Sequence, residues 1–119
     1  MIEPLLVTKI KTVTPKVYPG KAPESEDGTF VVYRRSQTDR ETHLSGPSGI
    51  TYPEFQVDVY SPSYTTMATI SDELVQLLDG WIEGPIMYCM VENDFDMEAD
   101  PEEDGYFRHL IQLRFTYRS

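Results

Sequence analysis

Leu44-Ser45-Gly46-Pro47-Ser48-Gly49, then Phe55-Gln56-Val57-Asp58-Val59-Tyr60, then Ser61-Pro62-Ser63-Tyr64 is the stretch that sets the architecture. A Gly/Pro turn feeds a strictly alternating segment, and that segment runs directly into a helix start. A period of two puts Phe55, Val57 and Val59 on one side and Gln56, Asp58 and Tyr60 on the other. Ser61 is the expected N-cap. Pro62 is expected at the first helical position, where its missing N–H costs nothing. No catalytic chemistry is visible in this block.

Downstream, residues 62–79 read as a helix. Tyr64, Met67, Ala68, Ser71, Leu74, Val75 and Leu78 share a face, widened by Ile70, Leu77 and Trp81. Gly80 suits the position after its end. The Met and aromatic stripe is read as core packing, because no cofactor motif accompanies it. Residues 86–94 and 105–117 read as third and fourth strands, joined through 95–104 into an antiparallel hairpin. In the last strand Phe107, His109, Ile111, Leu113, Phe115 and Tyr117 alternate with Arg108, Leu110, Gln112, Arg114, Thr116 and Arg118.

Upstream, residues 29–35 have high β propensity through Phe30, Val31, Val32 and Tyr33. Residues 36–49 are polar and read as a long loop, of the kind that is usually functional or mobile. Residues 50–60 form the next strand, with Pro53 marking a bend, a bulge or an edge. Ile2, Leu5, Leu6, Lys9, Ile10 and Val13 fall at helical spacing, which predicts a helix over 2–13 ended by Thr12 and Thr14 ahead of Pro15. Residues 15–28 read as an irregular connection holding at most a short extended piece at Val17-Tyr18-Pro19. The expected order is helix, strand, strand, helix, strand, strand. That is an α+β fold with a four-stranded antiparallel sheet and two helices on one face, as a single domain over 1–119.

The 119 residues carry 20 acids against 10 bases, a formal net charge of −10. Such a chain lacks the basic stripe of a nucleic-acid binder and is repelled by anionic membranes. Its 8 tyrosines against 5 phenylalanines favour residues that work well at interfaces. The single cysteine, Cys89, excludes an internal disulfide and is read as a buried thiol on a strand. No signal peptide or membrane span is read, so maturation in a reducing cytoplasm is expected.

The loudest local signal is acidic. Glu92, Asp94, Asp96, Glu98, Asp100 and Glu102 take every second position, followed by Glu103 and Asp104. As a calcium loop the spacing is nearly right, but Met97 stands where glycine must turn the chain and the flanks are strands. The favoured readings are a solvated hairpin tip or a surface that repels anions or attracts a basic partner. His109 is expected as a hydrogen-bonded core histidine, and His43 lies in the polar loop. Arg34, Arg35 and Arg40 are read as surface charge or as the partner of the acidic hairpin across a subunit interface. No P-loop, dinucleotide fingerprint or nucleophile elbow is present, so no catalytic, cofactor or metal residues are assigned and no enzyme is expected.

The order of pieces resembles the small phage tail-completion proteins, also called tail terminators or tail-to-head joining proteins. The pieces are the N-terminal helix, Val17-Tyr18-Pro19-Gly20 with Ala22-Pro23, and Phe30-Val31-Val32-Tyr33. They continue through Leu44 to Gly49, Phe55 to Tyr60, Leu78-Asp79-Gly80 and the hairpin ending in Leu113-Arg114-Phe115. The resemblance implies a homohexameric ring that caps the finished tail tube and meets the head connector. Implied partners are further copies of the chain, the tail tube protein and a head completion or connector protein, with DNA only in transit and no membrane. The implied location is the virion tail or neck, assembled in the bacterial host cytoplasm. The acidic tract is heavier than the family pattern, so its role is argued from charge: a like-charged lumen that keeps DNA from sticking. The alternatives are another neck component, or an acidic inhibitor whose carboxylates mimic phosphates.

Overall fold

A computed structural model describes residues 2–23, 28–43, 46–97 and 105–118, without the side chains of 39–48. The elements are α1 (Glu3–Ile10), β1 (Val17–Pro19), β2 (Phe30–His43), β3 (Gly46–Ser61), α2 (Tyr64–Leu78), β4 (Ile86–Met97) and β5 (Phe107–Arg118). They build one five-stranded sheet in the order β1-β2-β3-β5-β4. β1 pairs parallel with β2, and the other three pairings are antiparallel.

This corrects the expected four-stranded antiparallel sheet. Val17-Tyr18-Pro19 is a true edge strand, in register with Val31, Val32 and Tyr33. Its sequence hid it, because three residues beside a proline and a glycine give no periodicity to read. The long polar loop is also corrected. Residues 36–43 and 46–49 continue β2 and β3 as a paired arm, with Thr42 opposite Pro47 and His43 opposite Gly46. Leu44 and Ser45 lie outside the described residues. This arm gives the molecule its long dimension, 56 × 23 × 22 Å.

The alternation in β3 and β5 decides where the core sits. Phe55, Val57 and Val59 lie opposite Leu113, Ile111 and His109, so their side chains share one face. That face buries Phe55, Val57, Val59, Ile111, Leu113 and Phe115 in one cluster with Ile2, with Leu6 and Ile10 of α1 and with Met67, Leu74 and Leu78 of α2. Both helices therefore cover the same side of the sheet, and the other side is the open face. Phe115 stands at the centre, edge-on to Phe55 at 5.7 Å and to Trp81 at 6.1 Å between ring centroids.

The helix ends follow local chemistry. Ser63, not Ser61, caps α2: its Oγ accepts from the Thr66 N–H at 3.3 Å. Ser61 is the buried last residue of β3, and its Oγ accepts from the Ser63 N–H at 3.1 Å and bonds the Thr29 hydroxyl at 2.9 Å. Pro62 thus precedes the cap instead of opening the helix. At the far end Gly80 takes φ +82, which L side chains resist, and its N–H bonds the Cys89 carbonyl at 2.7 Å. Pro53 sits inside β3, and the β3–β5 pairing skips Tyr52 and Pro53 between Thr51 and Glu54. A missing N–H is tolerated at such a break.

Truncating Phe115 to Ala removes the ring that joins both phenylalanine and tryptophan contacts. We expect Phe115→Ala to lose about 3–5 kcal/mol of stability in urea unfolding. A loss under 1 kcal/mol, roughly that of a surface change, would contradict the central packing assigned to it.

Candidate functional site

The charged residues singled out from the sequence fall on both faces of the sheet and at both of its edges. A β-bulge in β4 causes the split. Val91 lies opposite Leu113 and Asn93 opposite Gln112, so Glu92 is the extra residue. Without the bulge, Glu92, Asp94 and Asp96 would share a face. With it, Glu92 reaches the open face, whereas Asp94 and Asp96, opposite Ile111 and His109, turn to the helix side. Glu98, Asp100, Glu102, Glu103 and Asp104 lie outside the described residues. The every-second-residue reading therefore fails at its first step.

On the helix side the acids form a closed cluster. His109 Nε2 lies 2.9 Å from Asp94 Oδ2, and Nδ1 lies 2.6 Å from Asp96 Oδ1. A neutral imidazole offers one N–H, so only the protonated ring donates to both carboxylates. The Tyr64 hydroxyl, in the first turn of α2, donates to Asp96 Oδ2 at 2.7 Å, and its ring packs edge-on to Phe107 at 5.5 Å. These bonds hold the Asp96 carboxyl below its usual range, with the Tyr64 bond as the larger cause and the His109 bond next. The Tyr64 phenol is pushed up in turn, by the same hydrogen bond and by the charge of Asp96. His109, expected in the core, is at the rim of it.

On the open face the central group is Asp58, a carboxylate 1% exposed. Arg108 Nη2 donates to Asp58 Oδ2 at 2.7 Å, and Arg34 Nη2 approaches the same oxygen at 3.5 Å. Gln56 Nε2 adds contacts of 3.2 and 3.3 Å. The Arg108 guanidinium lies over Tyr60, 5.4 Å from the ring centroid. A buried charge persists only when paired and hydrogen-bonded in this way. The sequence signal for it was present: Asp58 alternates out of the apolar set, and two arginines lie on strands beside it.

Beside this cluster lies a polar cavity of about 340 Å³, lined by Ser36, Glu54, Gln56, Glu92, Asn93 and Gln112. Glu54 takes bonds from Gln37 and an ion pair from Arg114 at 3.5 Å. Burial, the hydrogen bond with Glu54 and the charge of Glu54 raise the Glu92 carboxyl above its usual range, against Arg114. A second cavity of about 290 Å³ lies under Lys21, Ala22 and Pro23, with Phe30, Tyr60 and Tyr106 as its aromatic wall. Phe30 stacks on Tyr60 at 4.9 Å and meets Tyr106 edge-on at 5.3 Å.

The three arginines are not brought together. Arg34 is on the open face with Asp58, while Arg35 is on the helix side, 2.8 Å from Glu3 and over the Phe55 ring at 5.2 Å. Arg40 lies further along β2, opposite Thr51. Cys89 is buried on β4, and burial with the Asp79 charge pushes its thiol up to about 12. Among the described residues, no three His, Cys, Asp or Glu side chains form a group able to hold a metal ion, and no helix is long and apolar enough to cross a membrane.

No family model matches the chain, and no curated protein matches it. Among solved structures, the chain is similar to one described as "Virion of native gene transfer agent (GTA) particle", with a TM-score of 0.71 at 14% identity. The similarity covers 92% of this chain and 84% of that one. At that identity the likeness is one of fold.

The two perturbed carboxyls predict opposite pH slopes. The lowered Asp96 contributes stability that is present above the ordinary carboxylate range, about pH 4, and lost as pH falls through its folded value. The raised Glu92 costs stability as pH rises above that range through its own folded value. We expect Asp96→Asn to flatten the acid limb of a stability–pH curve, and Glu92→Gln to leave stability at pH 7 equal to or above that of the native chain. Urea midpoints across pH 2–7 measure both. An unchanged acid limb in Asp96→Asn would mean that the Tyr64 and His109 bonds do not hold the Asp96 carboxyl down.

Proposed function

We propose that this chain is a structural virion protein that caps a completed phage tail tube as a ring of copies, six on the family pattern, and joins it to the head connector. The observation that carries the reading is the fold shared over 92% of the chain with a chain of a phage-like particle. The order of motifs that resembles tail-completion proteins supports it independently. So does a surface in which, among the described residues, charge is held in structural pairs, Asp58 with Arg108 and Glu3 with Arg35. In this reading the protein is a building part and not an enzyme. Its partners are further copies of itself, the tail tube protein and a head completion protein, with DNA passing through without being held. Its place is the tail or neck of the virion, after assembly in the host cytoplasm.

The acidic residues have a role within the same reading. Six copies at −10 each carry about sixty negative charges, and a wall of that sign repels a sliding phosphate backbone. The part of the run beyond Met97, from Glu98 to Asp104, is proposed to supply part of that wall.

Mass measurement with and without purified tail tubes is the deciding experiment. The expected result is a closed ring, of six copies, at least in the presence of tubes. A chain that stays monomeric with tubes and instead binds a nucleic-acid enzyme would favour the phosphate-mimic alternative. Within assembled particles, changing Glu98, Asp100, Glu102 and Glu103 to their amides is expected to leave rings intact and slow genome ejection. Unchanged ejection would mean that these acids are only solvated.

A further inference from the structure

We infer that the acidic tip of β4 in one copy pairs antiparallel with the outer edge of β2 in the next, so that the sheet continues head to tail around the ring. This rests on the ring reading above and names the surface that builds it. The outer side of β4 is already sealed along its first half. The Gly80 N–H bonds the Cys89 carbonyl at 2.7 Å, the Val91 N–H bonds Asp79 Oδ1 at 3.0 Å, and Glu83 exchanges two bonds with Ile86 at 3.1 and 2.9 Å. From Glu92 to Met97 no strand covers that side among the described residues. At the other end of the sheet, β1 covers only Val31 to Tyr33 of β2. From Arg34 to His43 the outer side of β2 also has no strand partner among the described residues.

These two open edges carry opposite charge. Glu92, Asp94 and Asp96 on β4 have no base among them. Arg34, Arg35 and Arg40, against Asp39 and Glu41, leave the β2 stretch net positive in a chain of net charge −10. The match extends to faces. Glu92 and Arg34 are both on the open face; Asp94, Asp96 and Arg35 are all on the helix side. A continued sheet keeps its faces, so like-face neighbours across the junction attract. The arginines keep capacity for this, since Arg34 and Arg35 side chains are 49% and 37% exposed beside their internal partners.

The charges disfavour one symmetric alternative, since pairing β4 with a second β4 sets acids against acids. The complementary pairing of β4 with β2 is a heterologous contact, which generates a ring when its rotation closes. Direction agrees. Three successive antiparallel pairings separate β2 from β4 across the sheet, so the two run in opposite senses. Rotation about an axis near the strand direction then presents them antiparallel. Asn93 is level with Arg34 through Gln112 and Gln56, so meeting the free part of β2 requires a stagger along the strands at each junction. Strand tilt in closed sheets supplies such a stagger.

The test uses cysteines on the two edges, Ser36→Cys on β2 and Asn93→Cys on β4, with a short bismaleimide added to rings assembled under the conditions found by mass measurement. Cys89 is buried and stays unreacted. The double variant is expected to give a covalent ladder ending at the mass of the closed ring, and each single variant only monomer. Dimers from a single variant, or no ladder from a double variant that still forms rings, would overturn the edge pairing and leave the ring standing. If the native chain forms no oligomer even with tail tubes, the ring reading itself is lost, and this inference with it. As a check free of substitutions, raising salt from about 50 mM to about 500 mM should weaken ring association at least tenfold, because exposed charges are screened over that range. Association unaffected by salt would also overturn it.

Discussion

The pairing register between β3 and β5 is the constraint from which the other features follow. Phe55 opposite Leu113 and Val57 opposite Ile111 send one set of side chains under the two helices. A slip by one residue would bring Gln56, Asp58, Arg108 and Gln112 into that core and strip it of its phenylalanines. The open face guards the same register by a different force. Asp58 is buried there and satisfied by Arg108 and Arg34, so any other alignment leaves a carboxylate without its partners. Apolar burial on one side and a paired charge on the other specify the same alignment.

That arrangement was readable where burial left a period. The alternation in residues 55–60 and 107–117 and the stripe along 64–78 each mark one buried face, and the structure places strands and a helix there within a few residues. The missed parts are those with no buried face to leave a mark. β1 is three residues held at an edge by β2. Residues 36–43 pair along one side only among the described residues and carry Ser36, Gln37 and Thr38, whose composition reads as loop. The bulge at Glu92 has no sequence signature at all, because Val91-Glu92-Asn93 fits an unbroken strand equally well.

The charged site was legible as a set of residues and not as a geometry. Arg34 and Arg35, adjacent in sequence, belong to opposite faces by simple alternation, so they could not act as one cluster. For the acids the alternation argument fails, because one inserted residue reverses it. The result is the raised Glu92 carboxyl beside Glu54 on one face, and on the other the Asp94 and Asp96 carboxylates bridged by His109. Two environments with opposite pH response therefore sit within five residues of one strand.

The turn that follows α2 also protects the outer edge of β4. Met87, Tyr88 and Met90 are exposed on an edge strand, the composition from which fibrillar stacking starts. The backbone of Gly80 and Glu83, with the Asp79 carboxylate, occupies the very groups that such stacking would recruit. That half of the edge is therefore closed to stacking of one copy on another.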